Sequence, residues 1–373
     1  MVRKKLSSLL FLFFSINTLF INNIHAQILK DKEAYLKIKQ GVYNIYNCEF
    51  DKAEQIYTYL HNKYPNHSVP YLFNGLIYYW KYFPLTPGSD ESEKYVETMS
   101  ECIEIAEKAY KENEYDAENL LSGLGAMGML LMYYADNGLT GKVISLAPET
   151  YHFVMKAFDF TGTYNDFYYI TGLYNYYREA YPDAHPVYKP VVMFFPRGNK
   201  KLGLEQLKIS ARNSIFLRAE SNSFLSGIYL DFERNPDSAL VYSSKLISLY
   251  PNNVQYKTLD IRNLLLVKKY KKAEALLDSI NYWSVNTYFQ AKQDIFRAIL
   301  YEKVDHNDTM AEYYYLSGIR KAKKYGDYAS DYISYGYFGL SRIYARAGDK
   351  KKKKQYRKQA EDFADYEFVN FDD

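Results

Sequence analysis

Apolar residues recur along most of this chain at intervals of three and four, the period of an α-helix that turns one face to a core. The first such stretch covers residues 31–46 and the next 50–63. Pro65 closes this unit, because the residue before a proline leaves the helical region. The pattern continues with helices over 69–82, 90–112 and 166–180. It ends with Tyr337, Leu340, Ser341 and Tyr344 on one face, before a turn at Gly348. Read through to the C-terminus, it predicts about sixteen helices in about eight pairs, an all-α chain.

Small residues punctuate the pairs at a fixed interval. Gly41, Ala53 and Pro65 are spaced by twelve, and Gly227, Ala239 and Pro251 repeat the spacing. Ile299 and Ala311 keep it, Gly75 and Gly172 sit inside other first helices, and Tyr270, Ala273 and Leu277 repeat the second-helix pattern of Phe50, Ala53 and Tyr57, with Ile261 in the small-residue slot. Glycine inside a helix costs about 1 kcal/mol relative to alanine. Its recurrence predicts a close approach by the second helix. A helix–turn–helix unit about 34 residues long predicts a solenoid whose units each pack on their neighbours.

These residues resemble the tetratricopeptide repeat: aromatic, Leu, small and Tyr in the first helix, Tyr, Ala and an aromatic in the second, then a closing Pro. The resemblance is strongest over 34–67, 220–253, 254–284 and 334–366. It implies a right-handed α-solenoid of about eight antiparallel helix pairs over 27–373, with the first helices lining a concave wall that binds extended segments of a partner. Lys353 stands where an alanine is expected, so 334–366 reads as a capping repeat with a solvated outer face. Two stretches break the pattern. Asn119–Ala135 is uncharged and carries Gly123, Gly125 and Gly128; 181–199 is an irregular insert with Pro182, Pro186, Pro190 and Pro196, which forbid a continuous helix. Phe194 to Asn199 and Gly203 to Leu207 are similar to a segment of a eukaryotic tetratricopeptide family linked to the mitochondrial outer membrane and lipid-droplet clearance. That similarity implies shared architecture, not shared function.

The N-terminus changes the picture of where the chain works. Arg3, Lys4 and Lys5 precede an apolar run, and His25-Ala26 before Gln27 reads as a cleavage point, so 1–26 is predicted to be a signal peptide. An uncleaved anchor is the alternative, although Asn17, Asn22 and Asn23 cut the apolar run short of the ~20 residues of a membrane span. The expected location is the periplasm or cell envelope. The chain carries 47 basic and 44 acidic residues, a balance that argues against a nucleic-acid partner. Cys48 and Cys102 read either as a disulfide permitted after export or as two small buried hydrophobes. The 43 tyrosines fit an interaction surface or a compositional bias equally.

Few motifs carry chemistry. Gly123-Leu124-Gly125-Ala126-Met127-Gly128 has the letters of a dinucleotide fingerprint but lies inside a predicted helix, so close helix packing is the reading. His61, His67, His152, His185 and His306 form no metal-binding or catalytic pair at helical spacing. Asp305-His306-Asn307-Asp308-Thr309 lacks the glycine and distal Glu of a calcium loop and reads as a helix N-cap. Lys350 to Lys354 form a basic run, either a solvated face or a contact to anionic lipid. Asp237-Ser238-Ala239, Asp278-Ser279-Ile280 and Asp308-Thr309-Met310 resemble a bacterial O-glycosylation acceptor. No catalytic residue, metal or cofactor is expected. The candidate site is the inner wall: Tyr79, Trp80, Tyr176, Tyr177, Asp231 and Phe232 as an aromatic half, then Arg262, Arg342 and Arg346 as a basic half. The alternative is that the aromatics are core, since the first helices are apolar nearly all round. Three functions follow: a non-enzymatic scaffold for a protein or peptide partner, a self-associating envelope subunit, or a small-ligand or enzyme site in a pocket near 181–199.

Overall fold

The computed structural model describes residues 27–366 and 368–372; the predicted signal peptide lies outside them. The described chain is all-helical, without strands, and its helices pack in adjacent pairs. The pairs are α1 (Lys32–Tyr46) with α2 (Phe50–Lys63), α3 (Ser68–Lys81) with α4 (Asp90–Glu112), α5 (Ala117–Asp136) with α6 (Thr140–Ala157), and α7 (Phe167–Ala184) with α8 (Lys200–Asn213). They continue as α9 (Arg218–Asp231) with α10 (Pro236–Leu249), α11 (Val254–Leu266) with α12 (Tyr270–Asp278), α13 (Thr287–Lys303) with α14 (Asp308–Ala322), and α15 (Ser330–Arg346) with α16 (Lys350–Phe363).

Helix starts are fixed by side chains that satisfy the first free N–H groups. Asp31 accepts from Glu33 and Ala34, Asn253 from Tyr256, and Asn307 from Met310, so the Asp305–Thr309 run does cap a helix. The turns inside six pairs share one device, a residue in the left-handed region. It is glycine at Gly138 (φ 66°) and Gly348 (φ 76°), but Cys48 (60°), Arg234 (51°), Lys268 (58°) and His306 (50°) elsewhere. Both cysteines are free, and burial pushes the Cys48 thiol up to about 11.

The second-helix alanines Ala53, Ala239, Ala273 and Ala311 are fully buried, and Ile261 is as well. The first-helix glycines divide. A Cβ on Gly41 would lie 2.2 Å from the Phe73 ring, one on Gly75 2.5 Å from Met99, and one on Gly172 2.9 Å from Leu207. Gly227 is different: its Cβ would meet only Asp231, at an ordinary 3.7 Å. The tight contact expected of Gly227 belongs to its neighbour Ser226, which is buried and donates to the Ala239 carbonyl at 3.0 Å. On α7, the helix runs past the expected end at 180 to Ala184, with Pro182 in its last turn, before the chain forms a single helical turn over Lys189–Val192. On α16 only Ala360 is buried, and Lys350 to Lys354 are exposed.

The chain also returns on itself. Asn252 N–H donates to Asn47, Asn253 donates to the Tyr46 carbonyl at 2.8 Å, and the Trp80 ring meets Tyr256 edge-on at 5.4 Å. Further round, Asn286 donates to the Phe83 carbonyl at 2.8 Å and Phe83 packs on Tyr288. The first two pairs therefore rest on α11 and α13.

Candidate functional site

First helices of five successive pairs, α1, α3, α5, α7 and α9, turn one side toward a shared apolar cleft of about 420 Å³. Leu72 and Leu76 of α3, Met129 and Met132 of α5, and Ile170 and Leu173 of α7 supply much of its surface. Helix α5 builds the floor from the uncharged stretch. Its glycines do two jobs: Gly123 and Gly125 allow close packing, since a Cβ there would sit 2.8 Å from Ala106 and 3.1 Å from Leu72. Gly128 lines the cleft, and a Cβ there would meet nothing within 4 Å. It offers open space, not packing.

Polar atoms at the cleft are mostly engaged elsewhere. Glu118 accepts from the N–H groups of Ile28 at 2.8 Å and Leu29 at 3.2 Å, tying down the N-terminal turn, with His67 Nε2 at 3.5 Å. Ser122 donates to the Glu118 carbonyl, Thr150 to the Leu146 carbonyl and Tyr174 to the Pro196 carbonyl. Glu220 lines the cleft with one carboxyl oxygen buried and unpartnered. Burial pushes its carboxyl up to about 8, so it is protonated at neutral pH.

The inner-wall residues expected from helical spacing lie elsewhere. Tyr79 is buried in an aromatic cluster with Trp80, Phe83 and Tyr95, and Trp80 is wedged between Tyr46 and Tyr256. Tyr176 is fully buried, donating to Glu233 at 2.6 Å, and Tyr177 and Phe232 pack edge-on beside it at 5.5 and 6.0 Å. Arg262 is buried with its Nε unpartnered, near Asp231 and Asp331. Burial pushes Asp231 up to about 7 against the pull of Arg262. The adjacent Lys292 is caged by the rings of Tyr288 at 4.2 Å and Tyr332 at 4.5 Å and donates to Gln255. Tyr79, Tyr176, Arg262 and Lys292 are thus buried in the interior, whereas Asp231 and Phe232 are half-buried and line the pocket beside the proline-rich insert.

Nor are the last two arginines free. Arg342 forks onto the buried Glu302 with two contacts of 2.8 Å, and Arg346 reaches Glu302 at 3.0 Å and Asp308 at 2.6 Å. Burial alone would raise the Glu302 carboxyl, but this pairing holds it below its ordinary value. Arg342 and Arg346 thus belong to an ion-pair network with Glu302, Asp308 and Asp372.

A pocket does adjoin the proline-rich insert. It measures about 590 Å³ and mixes the charged groups Asp183, Asp231, Arg357 and Asp365 with the rings of Phe232 and Phe368. Among the described residues no group of His, Cys, Asp or Glu is arranged to hold a metal ion, and no helix is long and apolar enough to cross a membrane. No family model matches the chain, and no curated protein matches it either.

Proposed function

We propose that this chain is an exported, non-enzymatic helical scaffold of tetratricopeptide type, a right-handed solenoid, whose cleft holds an elongated apolar small molecule of the acyl-chain kind. The cleft formed by five first helices is the observation that carries this reading. Its volume falls within the roughly 300–1,000 Å³ typical of small-molecule sites. Each methylene buried there contributes about 0.8 kcal/mol before ordering costs. An extended peptide fits less well. Its backbone N–H and C=O groups need partners, and Glu118, Ser122, Thr150 and Tyr174 already use theirs within the protein. The protonated Glu220 supplies one hydrogen-bonding group, which fits a ligand with a single polar end.

The test is titration with the fluorescent fatty acid cis-parinaric acid, beside a Gly128→Phe variant. A Cβ there meets nothing within 4 Å, so the phenylalanine ring can project into the cleft. Binding should fall by more than about tenfold while the melting temperature holds or rises, glycine being a poor helix former. Uptake unchanged in the variant, or none in the parent protein, defeats the reading. Affinity for apolar peptides alone returns the weight to a peptide groove.

A further inference from the structure

We propose that the proline-rich insert is a membrane-interface lip that seats on an anionic lipid surface. Val187, Met193 and Phe194 are 78%, 79% and 89% exposed, three apolar side chains within one short segment. A cluster of that kind marks an interaction site more often than does a scattered apolar residue. The base of the segment is held firmly. Arg178 donates to the Phe195 carbonyl at 3.0 Å, Tyr174 to the Pro196 carbonyl at 2.7 Å, and Gly198 N–H to Glu179 at 2.9 Å. Gly198 is needed there because a Cβ would stand 2.5 Å from the Asn175 carbonyl oxygen. Phe195 turns inward onto Tyr151 at 4.9 Å while its neighbour Phe194 points out. The tip is thus presented by a clamped base, so little ordering entropy opposes docking.

Charge identifies the occupant. Arg197 and Lys201 are exposed just after the apolar tip, and Lys189 is exposed within the segment with its ammonium 3.7 Å from the Asp183 carboxylate. Apolar side chains followed by the cations Arg197 and Lys201 match the boundary between acyl chains and anionic headgroups. The lip also lies beside the cleft, since Tyr174, which holds Pro196, lines it as well. Docking there would bring the cleft to the bilayer surface, yet the inference does not depend on what the cleft holds.

The chain from Gln27 onward, which carries every described element, is sedimented with vesicles of phosphatidylethanolamine and phosphatidylglycerol, and with vesicles of phosphatidylcholine alone. The expected result is binding to the anionic vesicles, reduced roughly tenfold or more by Val187→Ser/Met193→Ser/Phe194→Ser. Arg197→Glu/Lys201→Glu should remove the preference for anionic lipid. Circular dichroism melts and parinaric acid uptake should match the parent, because these side chains face solvent; Gly128→Phe should lose uptake and keep vesicle binding. The proposal is overturned if the parent protein stays in the supernatant with both vesicles, or if the triple serine variant sediments like the parent. It is equally overturned if that variant's only effect is to dissociate a dimer, which would make the patch a contact between copies.

Discussion

The Glu220 carboxyl has one oxygen buried and unpartnered, so ionising it in the fold is unfavourable. Its folded value is raised to about 8 from an ordinary 4.5, so between these values the unfolded chain has lost the proton that the folded protein keeps. Stability contributed at this position therefore falls as pH rises through that window, by about 1.4 kcal/mol per unit of pH, and levels off above it. Glu220→Gln removes the dependence. The difference in urea unfolding free energy, variant minus parent, should grow from pH 5 to pH 8. Parallel profiles would mean that water reaches the carboxyl and that it titrates normally. Sequence alone hides this role, because an acidic residue in the first turn of a helix is the ordinary partner of the helix dipole. Arg342 and Arg346 were legible as a same-face pair for their spacing of four, but Glu302, which pairs with both, lies forty residues before Arg342 on another helix.

At the scale of elements, the existence and pairing of the helices could be read from periodicity, and their faces only in part. Helix α5 is apolar around most of its circumference, so its pattern marks only weakly which side meets the cleft and which the neighbouring pair. The uncharged stretch at Asn119–Ala135 was the one visible sign of the floor. Turns were also obscured, because Cys48, Arg234, Lys268 and His306 adopt a backbone conformation usually announced by glycine. The glycine rule itself holds unevenly, and two substitutions separate its cases. Gly41→Ala gains about 1 kcal/mol of helix propensity but drives a methyl into the Phe73 ring, a buried side chain that cannot retreat cheaply. It should lower stability by about 1–3 kcal/mol. Gly227→Ala meets only ordinary contact and should raise stability by up to about 1 kcal/mol. Thermal melts of the two variants check this: equal destabilisation would restore the tight contact that the spacing of twelve assigns to Gly227.

For the molecule as a whole, the return of the chain decides how it unfolds. An array whose units touch only their neighbours loses stability locally and can fray from either end. Here α1 and α3 are tied to α11 and α13 by Asn253 on the Tyr46 carbonyl, Asn286 on the Phe83 carbonyl and the Trp80–Tyr256 ring contact. The Asn253 amide is buried, so losing the Tyr46 carbonyl leaves a desolvation cost of about 1–3 kcal/mol, and opening the first pairs also penalises the centre. This closure covers Tyr79 and Trp80, which is why residues placed on an open wall by helical spacing lie in the core. Neither Trp80 nor Tyr256 announces a partner so distant in sequence. Urea unfolding should therefore be a single transition, with the same midpoint by far-ultraviolet circular dichroism and by tryptophan fluorescence. Trp80→Ala should cost about 3–5 kcal/mol, and the Trp80→Ala/Tyr256→Ala cycle should return a coupling of about 0.5–3 kcal/mol. Additive single costs together with two separate transitions would show that the N-terminal pairs and the centre unfold independently. The contact across the ring of helices would then be incidental to the fold.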